Sequence, residues 1–467
     1  MSHGSNSRVQ YAGEYKLLEC KVMSSTGMVA RLDDKVIQFQ IFENLFSQSL
    51  VASMTIVDNT NMIMKMPFIG QEFVSFKVET PDVGQIDFTD NVFAVTNIKA
   101  RQDISNDAQL YDLTLVSPES LRNSRTRVSK SYSGSISTMV TKILRDKTLI
   151  DTNKNIYTDT TSGSRKFIAP NVRPFRFIRN LTREALSGVH ESSPHFYFFE
   201  NTKGFQFRNL DGLYKRPTKG DFVADSESVM GSDNTQPSQN IEKDYRRILQ
   251  FAISRTNDTL ITSMGGMFGS SLIKYNIFHK NYQQYDFNYF RKFKKHGRID
   301  ANPIYNNTVV DRRRNTMGSF PNSKIHLHPT SNNGLTDTTY YDSDIGYTHK
   351  DNPVENWLQS TKSKAMELSG GINIQLKVHG YSQLCVGDMV NIELPITGTD
   401  HDDEGVDTIY NGRFLVTQLK HDFNQAERQH RMTMSVVKDS IGIKHKNSRS
   451  SNEPRGKRGK NYVPIYT

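Results

Sequence analysis

Short runs that alternate apolar and polar residues dominate the first 120 positions, and they return near the end of the chain. A period of two fits only a β-strand with one face buried, so this pattern constrains the fold more than any other feature. "YKLLECKVMS", "KVIQFQIFENLF", "SLVASMTIVDN", "GQEFVSFKVETPD", "DNVFAVTNIKARQD" and "AQLYDLTLVSPES" give six candidate strands separated by short polar turns. "INIQLKVHG", "LCVGDMVNIELP", "NGRFLVTQLKHDF" and "RQHRMTMSVVKDS" repeat the pattern beyond residue 370. Closely spaced strands with polar turns predict sandwich- or barrel-like β modules, two of them here.

Between the modules the period changes. In Ser135–Asp146, Met139, Val140, Ile143 and Leu144 share one helical face. A second helix is predicted from Pro174, with a stripe of Phe177, Ile178, Leu181 and Ala185 and a stop at Gly188. The hairpin "HFYFFENTKGFQF" (195–207) follows, and its turn supplies Asn and Gly for positive φ. A third helix, 353–368, is signalled by Asn352 as N-cap, Pro353 and Glu355, and by Gly370 and Gly371 after it. Its expected buried face is Trp357, Leu358, Thr361, Ala365 and Leu368. Residues 288–343 are rich in Asn/Asp turns and read as an insertion or extended loop.

Charge narrows the function classes. The chain of 467 residues carries +10, but from Lys444 to Lys460 seven cations face the single acid Glu453. That tail holds +6 of the total and leaves about +4 for the body, which is not the balance of a strongly basic nucleic-acid binder. Its Ser/Asn/Gly-rich composition predicts disorder unless a partner holds it, with Arg455, Lys457 and Arg458 as contact candidates. No apolar run approaches the ~20 residues of a membrane span, so no membrane insertion is expected. The N-terminus lacks the apolar stretch of a signal peptide, so synthesis in the cytoplasm is expected. Cys20 and Cys385 are far apart and read as reduced core thiols.

No assembled chemistry stands out. GxSxG, HExxH and a phosphate loop with its lysine are absent. "GGMFGSS" (265–271) has the glycines of a phosphate cradle without the lysine, and reads as a hairpin turn. The loop "DHDDEGVDTIYN" places Asp400, Asp402 and Glu404 as in the first half of a calcium loop, but Asn411 stands where the bidentate Glu belongs. Those three are weak metal candidates, and a solvated hairpin tip is the simpler reading. "RKFKKHGR" (291–298) and Arg312–Arg314 are basic clusters expected to face outward. His421 and Asp422 are neighbours on one strand, point to opposite faces, and form no site together. No cofactor and no enzymatic activity are expected.

Several stretches, taken in order, resemble one known family. Pro174–Tyr214, with its Pro-Phe-led helix and aromatic hairpin, is similar to the second domain of the central baseplate hub protein of contractile-tailed phages. "GGMFGSSLIKYNIFHKNYQQYDFNY" resembles the start of that family's second tube domain. "LCVGDMVNIELP", "YNGRFLVTQLKHDFN" and "QHRMTMSVVKDS" resemble its closing strands, which also occur in type VI secretion spikes. The resemblance runs from about residue 15 to 440, is weakest in 288–351, and does not cover the tail.

The resemblance implies a mainly β (α+β) fold. Two tube-type β-barrel domains with small α/β insertions would assemble as a pseudo-six-fold trimeric ring. The expected boundaries are 12–117 plus 208–250 for the first barrel and 118–207 for the inserted α/β domain. The second barrel takes 251–300 plus 372–443, with an insertion at 301–371 and the basic tail at 444–467. The implied role is a structural hub in the virion's tail baseplate. It would adapt a three-fold spike to the six-fold tail tube and line the passage for viral DNA. The implied partners are other copies of the chain, a central spike protein, the tail tube protein, inner baseplate or wedge proteins, and DNA in transit. A hub component of a type VI secretion or contractile injection system is the alternative, as is a nucleic-acid- or glycan-binding tail protein. Phe196, Phe198 and Phe205 are the interface candidates in the hairpin, one face of which is expected to pack on the helix and the other on a neighbouring domain or subunit.

Overall fold

A computed structural model describes residues 11–66, 68–81, 83–105, 108–190, 193–224, 241–255, 258–277, 280–330, 354–395 and 409–443. The fold is mostly β, as the alternation predicts. In the first module, strands Lys16–Met23, Val36–Asn44, Val51–Asp58, Phe73–Thr80, Phe93–Ser105 and Ala108–Val116 pair antiparallel. Val51–Asp58 buries every second residue, and Ala52, Met54 and Ile56 meet Cys20, Ile41, Phe76 and Tyr111 in one core.

The second module is built from Ile248–Arg255, Ile372–His379, Met389–Glu393, Gly412–Asn424 and Gln429–Lys438. The two modules share an edge. Gly412–Asn424 pairs antiparallel with Val36–Asn44, from Gln418 opposite Asn44 to Asn424 opposite Gln38. The result is a single 14-stranded sheet whose described order is an open path from Ile248–Arg255 to Val29–Arg31. Phe423 crosses the seam and lies in the first module's core.

Sheet pairing redraws part of the expected organisation. Residues 208–250 were expected with the first module, yet Thr218–Val223 pairs in parallel with Met389–Glu393 and Ile248–Arg255 with Ile372–His379. Phe222 and Ile248 decide this, because both bury in the second core. Gly269–Asn276 and Asn281–Asn288 leave the large sheet and join Ile325–Thr330 in a separate three-stranded sheet. Gly265 and Gly266 therefore form a helix-to-strand turn after Thr259–Met264, not a hairpin turn.

Helix Val354–Gly370 covers one face of that small sheet. Its buried side is not the expected apolar stripe. Gln359, Ser363, Lys364 and Glu367 are buried with Trp357 and Leu368, whereas Ala365 is exposed. The polar residues go inward because partners wait there: Gln359 donates to the carbonyls of Ser270 and Tyr285, and Ser363 to that of Met267.

The inserted α/β unit has its own core. Met139, Val140, Ile143 and Leu144 of helix Ile136–Arg145 meet Phe177, Ile178 and Leu181 of helix Pro174–Glu184. Both helical faces are those the sequence predicts. Phe196–Asn201 and Gly204–Asn209 form the hairpin that closes this core.

Candidate functional site

The hairpin is where the three cores meet. Phe196, Phe198, Phe205 and Phe207 all face the inserted unit, with Phe175 against Phe198 at 5.6 Å between ring centroids. The opposite face belongs to the modules: Phe199 packs in the second core and Tyr197 meets Phe46 edge-on at 5.8 Å. Within this chain, Phe196, Phe198 and Phe205 are therefore core residues of the hairpin and not a free interface. One face lies on the helix and the other on a neighbouring domain, so the hairpin has no solvent side. The turn needs Gly204, which sits at φ +126°, where a Cβ would come within 2.4 Å of the Asn155 carbonyl oxygen. Asn201 serves differently from expectation: it keeps φ negative, and its side chain donates to the Val386 carbonyl.

Polar residues then rivet this face. The Glu200 carboxylate accepts from the Leu50 backbone N–H at 2.9 Å, from the Ser117 hydroxyl at 2.8 Å and from the Lys154 ammonium at 2.7 Å. Lys154 also binds Glu119 at 2.8 Å, and the Thr152 hydroxyl donates to Glu119 at 2.6 Å. All three charged side chains are buried. Burial pushes the Glu200 carboxyl above the usual range against the pull of Lys154. Burial acts on Glu119 too, but Lys154 and the Thr152 hydroxyl outweigh it and hold that carboxyl low.

A second carboxylate ties the modules to each other. Glu43, on the seam strand, accepts from Thr202 N–H at 2.8 Å and from Val386 N–H at 2.7 Å. One side chain thus holds the first module, the hairpin turn and the second module. Burial raises its carboxyl to about 7, opposed by the two backbone donors.

A third cluster lies under helix Val354–Gly370. Arg298, expected in an outward basic patch, turns inward, with only 12% of its side chain exposed, and pairs with Glu367 and with Asp439, the latter at 3.6 Å. Lys364 binds Glu367 at 3.0 Å and also Asp439, while Tyr289 donates to Glu367. Burial opposes the charge on Asp439, but Lys364 and Arg298 prevail and keep its carboxyl below the usual range. Arg312, Arg313 and Arg314 are exposed.

Next to this cluster, Ser360, His195 and Asp211 stand in the order of a serine-hydrolase relay. The Ser360 hydroxyl is 3.2 Å from His195 Nε2, and Asp211 Oδ1 is 3.3 Å from His195 Nδ1. Ser193 shares Nδ1 at 3.2 Å, and Asp211 also accepts from Gly297 N–H at 2.8 Å. The cavity there is about 10 Å³, room for a single water and not for a substrate. As placed, these side chains fasten the long helix to the hairpin.

Asp400, Asp402 and Glu404 lie outside the described residues, as do Arg455, Lys457 and Arg458. No group of three or more metal-ligating side chains occurs among the described residues. Cys20 and Cys385 are free and buried.

What this geometry defines is a β-rich scaffold whose interior is pinned by buried charge. Its fold is similar to that of two solved tail proteins. It is similar to the tail protein from Neisseria meningitidis MC58, with a TM-score of 0.51 and 10% identity over 92% of this chain and 98% of that one. It is also similar to the 43 kDa tail protein of prophage MuSo2 from Shewanella oneidensis, with a TM-score of 0.50 and 8% identity over 90% of this chain and 98% of that one. No protein-family model matches the chain, and no curated protein matches it in sequence.

Proposed function

We propose that this chain is the structural hub of a phage contractile-tail baseplate, acting as a three-fold ring and carrying out no chemistry of its own. The observation that carries the reading is the seam, where two β modules share one continuous sheet in a chain with a tail-protein fold. Two modules per chain give six around a ring of three copies, which matches a six-fold tube above and a three-fold spike below. Buried carboxylates that bond across the junction, Glu43 and Glu200, suit that task, because a connector under load must keep its modules in fixed orientation.

The outward face along the seam fits a passage for DNA. Gln38, Gln40, Ser53, Thr55, Thr114, Gln418, Thr433 and Ser435 are neutral, and Asp112 and Asp422 balance Lys420 and Arg431. Such a face offers no net charge to hold phosphates. Its partners in this reading are the central spike, the tail tube protein and inner baseplate or wedge proteins, and its location is the virion. No helix among the described residues is long and apolar enough to cross a membrane.

Light scattering on the purified chain, alone and with candidate spike proteins, tests the proposal, followed by averaged particle images. A three-fold ring with a pseudo-six-fold face is expected. A chain that stays monomeric with every spike candidate, or whose body binds DNA at micromolar or tighter affinity with strong salt dependence, refutes it.

A further inference from the structure

Where helices Thr259–Met264 and Val354–Gly370 meet strand Ile325–Thr330, a cavity of about 400 Å³ opens to the surface. Gly265, Ala365 and Met366 supply apolar lining, and Lys324, His326 and Lys362 bring the polar atoms. The short helix that ends at Gly265 buries only Thr262 and leaves Leu260, Ile261 and Met264 exposed at 71%, 63% and 68%. Three large aliphatic side chains so exposed on six residues amount to a patch, not scattered surface Leu and Ile. The patch adjoins the cavity through Gly265, and Gly265 and Gly266 allow the close approach. A Cβ on the first would meet the Met366 side chain at 2.0 Å, and one on the second Cβ of Lys324 at 2.5 Å.

The charge beside this apolar ground has no counter-ion. The Lys362 ammonium donates to His326 Nδ1 at 3.2 Å, an uncharged acceptor. Neither Lys324, Lys362 nor Arg183 makes an ion pair among the described residues. Lys324 and Arg183 both bear on Lys362, and after burial their repulsion is what holds its ammonium below the ordinary lysine range. More enclosed cations of this protein, Lys154, Lys274, Arg298 and Lys364, are paired with carboxylates.

We propose that this groove docks an acidic, apolar segment of a partner protein, whose carboxylates meet Lys324 and Lys362 while its aliphatic or aromatic side chains cover Met366, Leu260, Ile261 and Met264. Charge complementarity selects the acid, and the aliphatic patch selects a polypeptide over a nucleic acid. The surface stands apart from the seam and the hairpin, so its failure leaves the hub reading untouched.

The test uses the full chain and a short labelled peptide alternating glutamate with leucine, followed by fluorescence anisotropy. Binding is expected at low salt, weakening as salt rises. Lys324→Glu with Lys362→Glu should weaken it by about tenfold or more, and Leu260→Ser with Met264→Ser by a similar factor. Lys362→Gln, a milder change, should act in the same direction, and circular dichroism should show all three variants folded. No binding overturns the proposal, as does equal binding of the peptide with glutamine in place of glutamate, or indifference to the charge reversals. Complete displacement by inorganic phosphate, or tighter binding of a single-stranded DNA oligomer than of the peptide, also overturns it.

Discussion

Removing one ammonium should destabilise the buried cluster beneath the hairpin. In Lys154→Met the stem volume is largely kept, but Glu119 and Glu200 remain as two buried carboxylates without a cation. Breaking a buried pair from one side usually costs about 3–5 kcal/mol. A second estimate agrees. Glu119 keeps the Thr152 hydroxyl, and Glu200 keeps Leu50 N–H and the Ser117 hydroxyl, so forcing one carboxyl neutral is enough to relieve the site. At pH 7.5 that protonation, some three units above an ordinary glutamate, costs about 4 kcal/mol. The sign against pH follows. With Lys154 gone, the folded-state carboxyl titrates above its unfolded value, so the deficit is full above the folded value and shrinks as pH falls towards about 5, where protonation costs less than about 1 kcal/mol. The assay is urea denaturation by circular dichroism at pH 7.5 and at pH 5. The wild-type–variant gap should be wide at the first and narrow at the second. A gap below about 1 kcal/mol at pH 7.5, or one of equal size at both, would refute the reasoning.

Three further outcomes are expected. Phe198→Ser replaces a ring packed on Phe175 and Phe205 and should cost about 3–5 kcal/mol, unfolding the inserted unit; a variant that melts like the wild type contradicts the core assignment. Gly204→Ala combines a strained φ with a Cβ driven against the Asn155 carbonyl, so limited proteolysis should cut the hairpin turn of the variant and spare the wild type. His421 and His430 face each other across 3.1 Å inside the sheet, and burial holds His421 down at about 4 and His430 well below its ordinary value. Both should stay neutral in the fold. Their contribution is complete above the unfolded value near 6.5 and falls away as pH drops towards 4, by about 3 kcal/mol for His421 alone. A urea midpoint that is flat between pH 6.5 and 4.5 would show the pair to be unimportant.

What was legible in the sequence was what a period can carry. The strands of both modules follow their alternation, and the two helices of the inserted unit bury the faces their 3.6 period names. The same rule carries information that composition alone does not. Glu43 falls in phase with Phe39 and Ile41, His421 with Leu419 and Phe423, and Lys438 with Met432, Met434 and Val436, and all three are buried. A charged or titratable residue on the inward phase of a strand must find partners or neutralise, so each was a signal of a buried junction. Glu200 was similar, a lone acid in an aromatic strand. The long helix failed for the opposite reason. Its inward residues Lys364 and Glu367 pair with each other three residues apart, but their burial also rests on Asp439, Arg298 and Tyr289, which lie far away in the chain, and no local pattern can announce those partners. The division at 208–250 failed likewise, because Phe222 and Ile248 choose between two equally apolar cores and only strand pairing decides which. Periodicity says that a face is buried, whereas long-range partners say against what. The junction of this protein consists almost wholly of the second kind of information: Glu43, Lys154 and Glu200 each bind groups from distant parts of the chain, and through them the three cores are joined.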